Sequence, residues 1–204
     1  ESDMGKSDIT GELLVNRQVS KTEVLLSKTV NDFEREVENE ILSWSFKGWL
    51  ISGATIPGSI FKPDHILILE SGYVHIIEDK MYYGDWIGLE NSNWRCNGKI
   101  IDCGRDDNPL RQLEKYPNPV RRCLQSINPL IGEWLVNTVV APNSSNLSGI
   151  KIEKKHRLNN LENLLPLVQW GNQQMLQFLI DQNQKLPLIT KESICEEFGI
   201  AVHS

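Results

Sequence analysis

Three side chains between Pro63 and Lys80, in the stretch PDHILILESGYVHIIEDK, have types and spacing that can do chemistry: Asp64, Glu78 and Lys80. Asp64 opens one apolar segment; Glu78 closes the next, two residues before Lys80. Glu70-Ser71-Gly72 joins the segments, and a β-hairpin is the simple reading. A hairpin brings the two acids to the same end of paired strands, where they can converge on a divalent cation. Magnesium prefers one or two protein carboxylates and keeps its other positions for water and phosphate. The main-chain carbonyl of Asp79 can add a ligand. Lys80 projects to the side on which a water would attack, where a cation aligns that water and stabilises the developing charge. Such a set can hydrolyse a phosphodiester.

Strand alternation puts Val74, Ile76, Glu78 and Lys80 on one face and Tyr73, His75, Ile77 and Asp79 on the other. Asp79 therefore points away from Glu78 and is not counted as a third side-chain ligand. An acid on an aliphatic strand is costly to bury unless it is paired or binds metal. On chemistry alone, two readings stay open: a metal site, or an ion pair at the surface. A second acid-x-Lys triplet, Glu153-Lys154-Lys155, also ends a strand-like run but has no acid at the head of a preceding partner strand.

The elements that must position these groups belong to an ordinary globular protein. The chain has 204 residues, 40% hydrophobic and 24% charged, with a net charge of -6. That length supports one domain with a proper core. The acidic balance argues against a plain DNA-binding module held by a global basic field. Cys96, Cys103, Cys123 and Cys195 form no CxxC pair and read as reduced thiols, and a zinc site built on Cys96, Cys103 and a histidine lacks the usual tight pairs. With no signal peptide and no apolar run long enough for a bilayer, the chain reads as cytoplasmic, with no membrane contact. Sequons at Asn143 and Asn146 then carry no weight. Beginning at Glu1 rather than Met, it reads as a processed or excised piece of something longer.

Residues 1–22 read as a polar tail or peripheral element. From Val24 to Trp44 the pattern is helical, with Val30, Phe33, Val37, Ile41 and Trp44 on one buried stripe and Asn31 or Asp32 as cap. GWLISGATIP reads as a short strand. The aromatic run MYYGDWIGLENSNWRCNGK reads as a loop with a small excursion of strand. Asn108-Pro109 opens a helix reaching Gln125, which Pro117 and Pro119 kink or divide. WLVNTVVAP is a further strand and IKIEKK the last. From Leu158 the chain reads as helical: Leu176, Leu179 and Ile180 are core contacts, and Thr190 caps the final helix. The expected architecture is α/β, built around one sheet.

Glu34 shares the helical stripe with Val37 and Ile41 and so can face inward, although a solvated acid among Glu36, Glu38 and Glu40 is the plainer reading. Gln112 lies one turn into its helix, where a lone glutamine is usually a surface residue.

Taken together, the PD and EDK residues resemble the PD-(D/E)xK signature of restriction-endonuclease-like nucleases, and the wider layout resembles the NERD (nuclease-related) domain. The likeness runs from about Asp32 to Leu165. It takes in Glu34 ahead of Val37 and Ile41, then DHILIL, GYVHIIEDK, YYGDWIG, NPLRQ and NTVVAP. It implies a restriction-endonuclease-like mixed central sheet with a four-stranded core, flanked by helices, with a C-terminal helical extension. The implied units are a nuclease-related domain over 23–158 and a helical extension over 159–204 packed on it. It further implies a magnesium-dependent site, with manganese able to substitute: Asp64 and Glu78 bind metal, Lys80 assists the water, Glu34 supports the metal or orients Lys80, and Gln112 completes the site. The glycine that family members tend to carry before the helix acid is replaced by Phe33, leaving the choice among Glu34, Glu36 and Glu38 open, with Glu34 favoured by its apolar spacing.

The expected activity is metal-dependent hydrolysis of nucleic acid, DNA before RNA. The alternative is a catalytically silent nucleic-acid- or protein-binding module on the same fold. Cations cluster at Arg105, Arg111, Lys115, Arg121 and Arg122, and again at Lys151, Lys154, Lys155, His156 and Arg157. Arg111 and Lys115, beside Gln112, are the expected nucleic-acid contacts. Trp86 and Trp94 are candidates for base stacking, with burial in the core as the competing reading. The C-terminal helices are candidates for docking a second copy or a fused partner domain.

Overall fold

The computed structural model describes residues 21–202. The tail read over residues 1–22 lies outside them except for its last two residues. Two sheets form the body. The main sheet contains β1 (Thr22–Ser27), β2 (Gly48–Ser52), β3 (His65–Leu69), β4 (Val74–Asp79), β8 (Leu135–Ala141) and β10 (Leu158–Asn160), in the order β1-β2-β3-β4-β8-β10. β2, β3 and β4 are antiparallel neighbours, whereas β1 and β2, β4 and β8, and β8 and β10 run parallel. The smaller sheet contains β5 (Asp85–Leu89), β6 (Arg95–Cys96), β7 (Lys99–Ile100) and β9 (Asn146–Lys151), in the order β7-β6-β5-β9.

β2, β3 and β4 are buried at every residue. Their aliphatic runs face helices on both sides, as continuous apolar strands must. On one side lie α1 (Asp32–Leu42) and α4 (Leu164–Asp181), with Phe33, Val37, Ile41, Val168 and Met175 packed on Leu67, Leu69, Tyr73 and Ile77. On the other lie α2 (Pro109–Leu113), α3 (Pro117–Gln125), α5 (Lys191–Phe198) and the buried face of the smaller sheet, packed on Ile66, Ile68, Val74 and Ile76. Each fully buried aliphatic or aromatic side chain contributes about 1.5–3 kcal/mol. Among the described residues no helix is long and apolar enough to cross a membrane.

The helical stripe is real only from Asp32 onward. Val24 lies in β1, and Val30 is 76% exposed, before the helix begins. Asn31 supplies the cap, its side chain accepting from Glu34 N at 2.8 Å. The region read as a loop with a small excursion of strand builds most of the smaller sheet, so one sheet becomes two and the four-stranded core becomes six-stranded. Short strands of two to six residues separated by Gly and Asn turns carry too little periodicity to announce this. β10 pairs with Val139–Ala141 where the sequence pattern reads as helix, and Ile180 is 69% exposed rather than core. The helix opened at Asn108 ends at Leu113 and restarts at Pro117, as the prolines require.

Candidate active site at the β3–β4 strand ends

The β3–β4 register sets the site. His65 pairs with Ile77 in an antiparallel ladder, so one step further Asp64 stands opposite Glu78. Opposed residues of an antiparallel pair share a face, and both acids fall on the side covered by α2 and α3. The turn that allows this needs Gly72, whose φ of 89° suits glycine alone. Asp64 is pinned through its main chain, with Gly53 N donating to its carbonyl at 3.0 Å, and through Oδ2, which accepts from Asp79 N at 2.7 Å.

Glu78 is 5% exposed, and its Oε2 is buried without a hydrogen-bond partner. Burial pushes its carboxyl well above the usual carboxylate range; Asp64 and Asp79 push it further and Lys80 pulls it down. Asp64 is raised to about 7, by burial first and then by the charges of Asp79 and Glu34, against the pull of the Asp79 N–H and His65. The pair is thus acceptor-rich and short of positive charge.

Lys80 follows the end of β4, with its N–H bonded to Val140 O at 3.0 Å. Its ammonium donates to Asp102 O at 2.8 Å and lies close enough to Glu78 to lower that acid's pKa. Lys80 also lines a cleft of about 730 Å³ with Asn31, Tyr82, Asn97, Lys99 and Asp102.

Gln112 comes to the site on α2, which Asn108 anchors. Fully buried, Asn108 caps Leu110 N at 3.0 Å and Arg111 N at 3.2 Å, while its amide donates to Glu90 O and Ser92 O. Gln112 Oε1 is buried and unpartnered. Next to it stands Tyr116, a residue the sequence reading passed over. Its phenol is lifted above the usual range by burial, by the charges of Glu78 and Asp64 and by a hydrogen bond to Glu78, and is lowered by one to Gln112. Tyr116 and Gln112 line a second cleft of about 330 Å³ with Lys62, Arg105 and Lys115. A tyrosine four residues after Gln112, just before Pro117, was the available signal.

The opposite face carries a hydrogen-bonded chain that leaves Asp79 Oδ1 buried without a partner. Ser52 pairs with His65 across β2 and β3. Ser52 Oγ and His65 Nδ1 are 2.7 Å apart, and His65 Nε2 is 2.5 Å from Asp79 Oδ2. Burial works against protonation of His65, but Asp79, Asp64 and Glu34 together hold its pKa above the ordinary value. Asp79 is itself raised by burial, with His65 opposing. Glu34 lies on this side. Its Oε2 accepts from Val30 N at 2.7 Å, closing the start of α1, and its charge reaches Asp64, Asp79 and His65. Of the two other acids considered with it, Glu38 is buried and bound to Ser27 Oγ at 2.8 Å, and Glu36 is exposed.

The structure therefore gathers Asp64, Glu78, Lys80 and Gln112 around one end of the sheet and places Glu34 across it. Arg111 and Lys115 lie nearby but are engaged with acids: Arg111 with Glu114 at 2.7 Å, and also with Asn91, and Lys115 with Asp106 at 2.6 Å. Trp86 and Trp94 are fully buried, packed on each other in the core, and cannot stack on bases. All four cysteines are free and buried.

The donor set can be tested against a cation. Among the described residues no group of three or more His, Cys, Asp and Glu side chains is arranged to hold a metal ion. That leaves the two carboxylates of Asp64 and Glu78, of which Glu78 Oε2 is unpartnered, and the neighbouring unpartnered Gln112 amide oxygen, all hard donors. Such a set suits magnesium or manganese, which keep several waters, better than zinc.

No curated protein and no solved structure matches the chain. A sequence model of the nuclease-related domain matches residues 29–142, which include β2 to β8, α1 to α3 and every residue of the site. That match covers more than half of the chain, which belongs to the nuclease-related domain (NERD) family.

Proposed function

We propose that this chain is a magnesium-dependent nuclease that hydrolyses phosphodiester bonds of DNA, with Asp64 and Glu78 holding the ion. The observation that carries the reading is Glu78 Oε2, buried without a partner beside a second carboxylate of the same face. A buried acid whose pKa is raised by burial and by a neighbouring carboxylate, as Glu78 is by Asp64, costs stability unless a cation joins the two. Magnesium bound there would neutralise phosphate charge and make its bound water a stronger nucleophile, a role manganese could also fill.

The other residues act around that pair. Lys80 holds its ammonium on Asp102 O, at 2.8 Å, within the field of Glu78. From there it can donate to an attacking water or to a phosphate oxygen and stabilise charge on either. Gln112 and Tyr116 fix the position of the Glu78 carboxylate and wall off one side of the cleft. Asp79 N–H holds Asp64 in the rotamer that faces Glu78. Glu34 acts at a distance, through the charge it adds near Asp64 and Asp79. Arg111 and Lys115 can meet DNA phosphates by exchanging their present acidic partners for them.

Those same ion pairs favour a second reading, a silent binding module, since they neutralise the cations nearest the site. Incubation of plasmid and single-stranded DNA with magnesium, manganese or EDTA separates the two. Metal-dependent cleavage lost in both Lys80→Ala and Asp64→Ala supports the nuclease. No cleavage, or cleavage surviving both substitutions, supports the module.

A further inference from the structure

The two basic clusters of the sequence converge on one pocket. A cavity of about 270 Å³ beyond the α2–α3 turn is lined by Glu114, Arg121, Asn137, Lys154, His156 and Arg157. It therefore holds three permanent cations against one carboxylate, in a chain of net charge -6. Their existing bonds are partial. Arg121 uses Nε on Gly132 O at 2.9 Å, while Arg157 reaches Glu114 Oε1 at 3.6 Å and Leu110 O at 3.5 Å, both long for hydrogen bonds. Glu114 is shared with Arg111, so it cannot neutralise the pocket.

Aromatic surface adjoins this charge. His156 lies 5.8 Å from Trp170, ring centre to ring centre, and Trp170 lies 5.9 Å from Trp134. Trp170 is 43% exposed although it stands on a helix with a well-buried apolar side. The indole N–H of Trp134 is buried and has no acceptor. Cations beside an exposed aromatic face suit a nucleic-acid strand, which offers phosphates and bases in alternation.

The pocket's position relative to the site agrees with this. Leu135 and Asn137 pair with Val74 and Ile76, two to four residues before Glu78. At about 3.3 Å per residue, the pocket is roughly 7–13 Å from Glu78 along the strand. A strand only a few nucleotides long covers that span.

We infer that Arg121, Lys154 and Arg157 seat a backbone phosphate of a single DNA strand whose neighbouring base stacks on Trp170, a few nucleotides from the bond at Asp64 and Glu78. This surface holds the strand while the carboxylate site acts on it. The inference rests on the proposed nucleic-acid substrate but not on the cleavage chemistry.

The test is binding of a fluorescent single-stranded oligonucleotide of about twelve nucleotides, followed by anisotropy in EDTA over a range of salt. Trp170→Ala and Lys154→Glu alter exposed side chains, and Lys28→Ala, an exposed cation just beyond β1 at the opposite edge of the main sheet, serves as the control. Trp170→Ala should weaken binding about tenfold. Lys154→Glu should weaken it and lower the slope of log K against log salt by about 0.7, while Lys28→Ala should bind like the parent chain. Unchanged affinity in both patch variants, or no binding by the parent chain, overturns the inference. A chain that binds in this way but never cleaves defeats the nuclease reading alone. A chain that cleaves but ignores both patch substitutions defeats this inference alone.

Discussion

Glu78 and Asp79 are consecutive acids on one buried strand, and their surroundings differ by face. Asp79 Oδ2 meets His65 at 2.5 Å, and His65 meets Ser52, while Asp79 Oδ1 is buried without a partner. Glu78 meets another carboxylate, and its Oε2 has no partner. Burial raises the pKa of both, so burial alone does not mark the chemical group. Each also leaves one oxygen buried without a partner, and what separates them is the neighbour the protein supplies, an imidazole for Asp79 and a second carboxylate for Glu78. An acid set against an imidazole already has a hydrogen-bond donor; an acid set against another carboxylate is the better seat for a cation.

The largest effect that would break this contrast is on turnover. Lys80→Ala and Glu78→Gln should each reduce cleavage by about a thousandfold or more, the scale of losing a principal electrostatic contact. Neither should lower the urea midpoint, and Glu78→Gln should raise it at pH 8 in EDTA, because it takes an acid away from the Asp64 carboxylate beside it. The same kind of change on the other face should do the opposite: His65→Ala leaves Asp79 Oδ2 buried without its hydrogen-bond partner and should cost about 1–3 kcal/mol of stability by urea unfolding.

A pH series sharpens the comparison. Folded Asp64 holds its proton to about 7, whereas an ordinary aspartate releases it near 3.8. Between these values the folded state binds more protons than the unfolded one, so stability in EDTA should fall as pH rises from about 4 to about 7. Asp64→Asn should flatten that slope, as urea midpoints at pH 5 and pH 8 would reveal.

A smaller effect is expected at Asn108, which holds α2 and hence Gln112. Asn108→Ala removes a cap and two buried bonds and should cost about 1–3 kcal/mol, with some loss of cleavage. Smallest of all, Arg111→Ala breaks a surface pair and should change stability by less than about 1 kcal/mol.

Much of the site was legible before any coordinates. Alternation in YVHIIEDK separates Glu78 from Asp79, and the hairpin turn sets Asp64 opposite Glu78, because strand geometry leaves few choices once both segments are apolar. Asn108 and Pro109 announce α2 by cap chemistry. The Ser52–His65–Asp79 relay was not legible, since it depends on the register of β2 against β3, which no turn specifies. Tyr116 was missed because its role arises from a break between two short helices. The smaller sheet escaped for the same reason that stacking and burial both stayed open for Trp86 and Trp94: short strands pack those indoles inward, and composition alone cannot distinguish a loop aromatic from a core one.

Calorimetric titration of magnesium into the intact chain and into Glu78→Gln at pH 8 tests the central claim most directly. The intact chain should bind the ion at one saturable site and gain about 2.7 kcal/mol of stability at a hundredfold excess over Kd, and Glu78→Gln should lose both effects. Equal binding by the two chains, or no binding by the intact chain, would show that the unpartnered carboxylate is not a metal ligand.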